Sequence, residues 1–324
     1  MTFPFNNIIV HVTGEPDVGK TTFCLECGAK PQEIAFFDAD VKGSAIARQL
    51  NFGVYHNLVA MGRGMKEVEL HEMYLRLIDN IAQGQYRAVI WDGYQQFEKT
   101  FQPYVAKQPR QFREQYSPMG QIKGAEIWLA SFDYEAEILS QLQECADLVL
   151  LTTHLKSYNI GGRRVPGRFV PDCKRPLVQK SSLRIWLRHN PDGPEPIGLV
   201  LKRIAKHQVT DDGIKATSVL PRRIKPCTWS KLRWYWENPL GDRQPTPEEI
   251  PDAFEISLLE GTLTDDQKRI FEIVARDEGD ADIEFPIVDK AQIEEMLAAG
   301  KQPLQIAQEL TLPLPVILSL IKEG

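Results

Sequence analysis

Over the first 240 residues, short apolar runs alternate with longer amphipathic stretches. Asn7 to Val12 has the length and apolarity of a strand, and a helix is expected from about Lys20 to Cys27. Ile34-Ala35-Phe36-Phe37 reads as a second buried strand running into Asp38-Ala39-Asp40, and Ala88-Val89-Ile90-Trp91 as a third ending in Asp92. Met73, Leu77, Ile78 and Ile81 recur at helical spacing between Lys66 and Ala82; Ile122 to Cys145 is also helical, and Leu148 to Thr153 makes a fourth strand. Leu183 to Leu187, Leu199 to Ile204 and Ile214 to Val219 are further β segments with turn residues between them. Strands alternating with helices predict an α/β fold whose mostly parallel sheet is covered on both faces.

The polar, proline-rich stretch from Pro239 to Pro247 marks a boundary. The expected organisation is one domain over residues 1–240, then an acidic linker and a small helical domain over residues 241–324. Charge divides at the same place. Residues 241–324 hold 19 Asp/Glu and 7 Lys/Arg, against 44 and 38 in the whole chain, so the first 240 residues are net basic. A basic body with an acidic end suits contact with nucleic acid. The apolar runs are too short to span a bilayer, and Met1 to Phe5 lacks the basic start of a secretory signal, so no membrane partner is expected. Five cysteines without disulfide-framework spacing point to a reducing, cytoplasmic setting. Cys24 and Cys27 form a C-x-x-C with no second ligand pair, and are expected as buried small residues.

Gly14-Glu15-Pro16-Asp17-Val18-Gly19-Lys20-Thr21 matches the phosphate-loop pattern in full. Glycines let the backbone curl until several N–H groups point inward, Lys20 supplies a charge to the β and γ phosphates, and the Thr21 hydroxyl ligates magnesium. Gly14, Asp17, Val18, Gly19, Lys20, Thr21 and Thr22 are therefore the candidate residues for binding ATP. Asp92, an acid ending an apolar strand expected beside the loop, is the candidate partner of Thr21 for Mg2+.

With these motifs in place the chain resembles the RecA-like P-loop ATPases, over about residues 6–238. In that family the strand after the phosphate-loop helix ends in an acid that activates the attacking water; Asp40 stands here where glutamate is usual. The resemblance puts His154, after Leu150-Leu151-Thr152-Thr153, at the position that senses the γ-phosphate, where RecA itself has glutamine. It also implies a DNA loop after His154 and a lysine-bearing strand serving a neighbouring subunit's nucleotide, here Leu201 to His207 with Lys202, Arg203 and Lys206; Lys206 joins Lys20, Asp40 and His154 as a candidate catalytic residue. The phage-type RecA-core and single-strand annealing proteins are similar in closing on a proline-basic segment and a tryptophan helix, as Leu220 to Trp229 does here. The stretch around residues 95–121 has no counterpart in the family.

Between Lys156 and Lys180 the chain carries Lys156, Arg163, Arg164, Arg168, Lys174, Arg175 and Lys180 against Asp172 alone. Glycines and prolines there argue for a loop. Arg163, Arg164, Arg168, Lys174 and Arg175 are the candidate DNA contacts, with Tyr158 and Phe169 available to stack on bases. Near the C-terminus, Gln305 to Pro313 followed by Leu314 to Lys322 resembles a helix-turn-helix, but a last helix with one basic side chain suits protein docking or packing better than base readout. The expected function is an oligomeric (ring or filament) ATPase acting on DNA, single-stranded by preference, in phage-like recombination, annealing or replication. The alternatives are a nucleotide-controlled assembly switch acting through the C-terminal helices, and a small-molecule P-loop kinase.

Overall fold

The computed structural model describes residues 7–40, 43–47, 49–84, 86–107, 112, 125–160, 163–203, 205–210, 213–239, 243–265, 268, 290–301 and 305–306. In chain order the first elements are β1 (Ile8–Gly14), α1 (Lys20–Leu25), β2 (Ile34–Asp38), α2 (Gly43–Ala47), β3 (Val54–Asn57), α3 (Leu58–Met61), α4 (Glu67–Ala82) and β4 (Tyr86–Asp92). Next come α5 (Gln95–Lys107), α6 (Ala125–Glu144), β5 (Ala146–Thr153), β6 (Leu155–Ile160), β7 (Arg163–Pro171) and α7 (Arg175–Lys180). The chain continues through β8 (Leu183–Arg188), β9 (Ile197–Lys202), β10 (Ala205–Thr210), β11 (Gly213–Ser218), β12 (Arg223–Ile224), α8 (Trp229–Glu237), α9 (Ala253–Glu260) and α10 (Lys290–Ala298).

Two compact units result, one made of Met1–His154 and Pro171–Ile250, the other of Leu155–Val170 and Pro251–Gly324. The first is built on an eight-stranded sheet of order β12-β9-β8-β1-β5-β4-β2-β3. Its strands from β8 to β3 run parallel, while β9 and β12 each run antiparallel to their neighbour. Alternating side chains feed two cores. Val10, Val12, Ala88, Ile90, Leu148 and Leu150 pack on one face with Phe23, Cys24 and Cys27, and with Trp229 and Leu232 of α8. Ile9, Val89, Trp91, Val149 and Leu151 pack on the other with Met73 and Leu77 of α4, Phe97 of α5 and Leu139 of α6. Strands buried on both faces need apolar side chains at every position, which is why they read as continuous apolar runs. Cys24 and Cys27 lie fully in the first core, and burial raises both thiol pKa values.

Strand order corrects one expectation: the strand ending in Asp92 does not lie beside the phosphate-loop strand, because β5 is inserted between β1 and β4. A second correction concerns Leu201 to His207, read as one lysine-bearing strand. Lys202 ends β9, whereas Lys206 lies on β10, which pairs with β11 in a separate two-stranded sheet.

The stretch expected as an irregular basic loop is also ordered differently. It contains β6 and β7, which form a two-stranded sheet, and then α7. Gly167 takes a left-handed φ of 65°, which gives β7 a local bend without ending it. In the second unit α9 is closed at both ends: Asp252 and Glu255 cap each other reciprocally, and Gly261 at φ 71° ends the helix. Of the helix-turn-helix reading, all but Gln305 and Ile306 lies outside the described residues, as does most of the stretch from 108 to 124. No helix among the described residues is long and apolar enough to cross a membrane.

Candidate nucleotide site

The loop joining β1 to α1 is forced into its shape by two left-handed residues, Asp17 at φ 58° and Gly19 at φ 89°. Such angles curl successive amides toward one side, the arrangement that cradles an anion. Gly14 is required for a different reason. A Cβ there would lie 2.3 Å from the carbonyl oxygen of Leu187 on β8, so only glycine lets the two strands close up. Val18 is buried in the core and anchors the loop's middle, while Thr22 is exposed on α1. On the far side of α1, the Trp229 indole N–H donates to Phe23 O at 2.5 Å and its ring stacks on Phe23 at 5.2 Å, so α8 braces the helix that carries Lys20 and Thr21.

Lys20 is 8% exposed and its ammonium donates to Gly14 O at 3.1 Å and Glu15 O at 2.8 Å. Burial lowers its pKa, with the charges of Asp92 and Asp40 acting in the opposite sense. The Thr21 hydroxyl donates to Asp92 Oδ2 at 2.5 Å, and the Thr152 hydroxyl donates to Asp92 Oδ1. Thr152 also accepts from the Gly93 amide at 2.8 Å, and its carbonyl accepts from Tyr94 N at 2.9 Å. The inserted strand β5 therefore clamps the end of β4 and aims Asp92 at α1. Thr152 escaped notice as a separate residue, because a threonine in an apolar run looks like an ordinary strand former. The signal available was the switch from Leu148-Val149-Leu150-Leu151 to the polar Thr152-Thr153-His154 at the strand's end.

A second acidic group gathers at the neighbouring strand end. Asp38 closes β2 in register with Asp92 on β4. It is 1% exposed, accepts from the Tyr55 hydroxyl at 3.1 Å and from Asp40 N at 3.0 Å, and burial raises its pKa to about 6. Both oxygens of Asp38 are thus occupied, one of them in fixing the turn that presents Asp40. Asp40 is half-buried, and its Oδ2 lies 3.6 Å from His154 Nε2 at the end of β5.

Of the predicted residues, the structure brings together Gly14, Asp17, Val18, Gly19, Lys20, Thr21, Asp92, Asp40 and His154. It does not gather the candidate DNA contacts in the same way. Arg168, expected as a DNA contact, is 2% exposed and turned onto Ser257, donating to its Oγ at 3.2 Å and its carbonyl at 2.8 Å; a side chain so held acts as a packing anchor. Lys174 precedes α7 and is held by Glu98, donating its amide to Glu98 Oε1 at 3.0 Å and its ammonium to Glu98 O. Arg164 is half-buried and Arg175 exposed, while the side chains of Arg163 and Lys206 lie outside the described atoms.

A strand, a curled glycine loop carrying Lys20 and Thr21, and an acid two strands away that meets Thr21 define a P-loop nucleoside triphosphatase. The family model described as AAA domain matches residues 6–175, more than half of the chain. The chain belongs to this AAA-type P-loop ATPase family. No curated protein matches it.

Proposed function

We propose that this chain hydrolyses ATP with magnesium and couples turnover to binding of single-stranded DNA as an oligomer, in work of the kind done by phage-type RecA-core and annealing proteins. The observation that carries the catalytic part is the joining of Thr21, Asp92 and Thr152 by two hydroxyl-to-carboxylate hydrogen bonds at the mouth of the phosphate loop. Oxygen donors of this type suit a hard cation. Thr21 Oγ1 and Asp92 Oδ2 are the atoms that would hold magnesium, directly or through water, and the ion when bound would neutralise charge between β and γ phosphates. Lys20 exchanges two backbone carbonyls for phosphate oxygens, a transfer of one buried cation from neutral to anionic partners. Asp40, beside His154, accepts a proton from an attacking water; Asp38 holds Asp40 in place. Support for DNA as the partner comes from the net basic first 240 residues and from the exposed Lys156, Arg175 and Lys180 in the basic stretch after His154.

The test is Lys20→Ala. The variant is expected to fold with an unchanged far-ultraviolet spectrum and to lose ATP affinity by about 100-fold or more, since a charge is removed from the cradle. A folded variant with native affinity in titration calorimetry would overturn the nucleotide reading. Turnover measured with and without single-stranded DNA, alongside sedimentation, tests the rest. A monomer whose rate ignores DNA would leave an ATPase and remove the DNA-coupled function.

A further inference from the structure

The phosphate loop carries an acid of its own. Glu15, the second residue of the loop, would add negative charge where a polyphosphate is to bind. Strand β8 lies against the loop at this point, with Leu187 paired in register to Gly14. The two residues that follow both turn to Glu15. Arg188 Nε lies 3.8 Å from Glu15 Oε1, and the His189 amide donates to Glu15 Oε2 at 3.3 Å. The His189 ring reaches the same carboxylate oxygen at 3.9 Å and meets Pro16 O at 3.1 Å; because a carbonyl only accepts, Nε2 is the protonated ring nitrogen. Glu15 and Arg188 are each about four-fifths covered, at 20% and 22% side-chain exposure, so solvent screens this pair only in part. Meanwhile Lys20, the loop's phosphate-seeking cation, donates to the backbone oxygen of Glu15 rather than its carboxylate.

We propose that Arg188 and His189 form a clasp that neutralises and restrains Glu15, making Arg188 a positioning residue that lets the loop accept a polyphosphate. Arg188 acts through Glu15: its charge offsets the carboxylate's repulsion, while the hydrogen bond from the His189 amide keeps that side chain turned toward β8. The inference rests on the nucleotide reading and adds a determinant that the phosphate-loop pattern does not contain. It also explains why the end of β8 must be pressed so close to β1 that Gly14 cannot bear a side chain.

A double-mutant cycle tests it, with Mg-ATP, ADP and adenosine as titrants of the full chain. Arg188→Ala is expected to weaken ATP binding by about tenfold, ADP less and adenosine not at all, because the repulsion scales with ligand charge. Glu15→Gln alone is expected to tighten ATP binding by about threefold, and in its background Arg188→Ala is expected to cost less than about twofold. Arg188→Lys keeps the charge and is expected to bind ATP within about twofold of the parent, which separates charge from packing should the alanine variant melt early. An equal loss from Arg188→Ala in both backgrounds, or an equal loss for all three titrants, would overturn the clasp while leaving the nucleotide site standing. A parent chain that binds neither ATP nor ADP would overturn the site reading, and the clasp with it.

Discussion

Asp92 and Glu98 are near neighbours in sequence and equally covered, each 3% exposed, yet they meet opposite surroundings. Asp92 closes a strand and receives two hydroxyl hydrogen bonds, from Thr21 and Thr152. Glu98 sits on α5 opposite Glu135 of α6, whose carboxylate is wholly buried and within 3.5 Å of the Tyr94 hydroxyl. Burial raises the pKa of both glutamates, and their mutual repulsion raises Glu135 further; the Lys174 backbone and charge pull Glu98 back only in part. Two carboxyl groups so placed cannot both ionise, so they hold a proton between them. Equal burial therefore has two outcomes. Donors aimed at a carboxylate fix its oxygens where a cation can meet them, whereas a second carboxylate in the same buried space favours keeping a proton on the pair.

The contrast is tested most strongly in catalysis. Asp92→Asn is expected to lower turnover by about 10³-fold and to weaken magnesium-dependent ATP binding, because Asp92 Oδ2 is one of the oxygens proposed to hold the ion. Asp40→Asn is expected to keep affinity within a few-fold and lose about 10²-fold in turnover, as for a group acting mainly in the transition state. Glu135→Gln is expected to hold turnover within about twofold. A native rate in Asp40→Asn with a collapse in Asp38→Asn would move the base two residues back along the chain. A collapse in Glu135→Gln would break the division between a working and a sealed carboxylate.

Stability against pH gives the next largest effect. Because the folded chain keeps a proton that free glutamates release near pH 4.3, it binds more protons than the unfolded chain across the neutral range. The contribution to stability is fully present below that ordinary value and is lost as pH rises through the raised folded values. Unfolding free energy is thus expected to fall between pH 5 and pH 9, by up to about 1.4 kcal/mol per pH unit for each proton held. Glu135→Gln is expected to flatten that fall in denaturant titrations at pH 5, 7 and 9. An equally steep fall in the variant would place the responsible proton elsewhere, with Asp38 the first alternative.

How much of this was legible beforehand depended on the range of the interaction. The phosphate loop follows from eight consecutive residues, because curling a backbone around an anion is a local demand that only certain residues meet. The strands and the helix Lys66 to Ala82 follow from local periodicity, and the structure places α4 at Glu67–Ala82. Strand order is a long-range property, and nothing in the stretch around Asp92 tells that β5 comes between it and β1. Glu98 and Glu135 look like solvated helix positions until packing against Tyr94 and Lys174 removes the water. Arg188 was hidden likewise: its meaning depends on which strand lies beside Gly14.

Positive charge repeats the division between open and sealed groups, and it supplies the smallest expected effect. Seven basic residues from Lys156 to Lys180 predict a binding surface by count alone, but the count treats them as equal. Arg175 is exposed on α7, whereas Arg168 on β7 is almost fully covered and spends its guanidinium on the hydroxyl and carbonyl of Ser257. Burial lowers the Arg168 pKa, the mark of a cation removed from water. Removing Arg168 takes the charged donor from Ser257, whose carbonyl keeps only its bonds from Gly261 N and Thr262 N, and leaves the space of the guanidinium unfilled, which costs about 1–3 kcal/mol. Arg168→Ala is therefore expected to lower the melting temperature while leaving the salt dependence of single-strand binding unchanged in the folded fraction. Arg175→Ala is expected to leave the melting temperature in place and reduce the log–log salt slope by about 0.7, the share of one phosphate contact on a single strand. The two measurements cross: each variant moves the quantity that the other leaves alone. If both variants instead reduce the slope equally at unchanged stability, Arg168 reaches DNA by leaving Ser257, and the sealed class of basic residues does not hold. If neither moves the slope, β7 and α7 offer no phosphate contact through these arginines, and the charge count from Lys156 to Lys180 does not mark a binding surface.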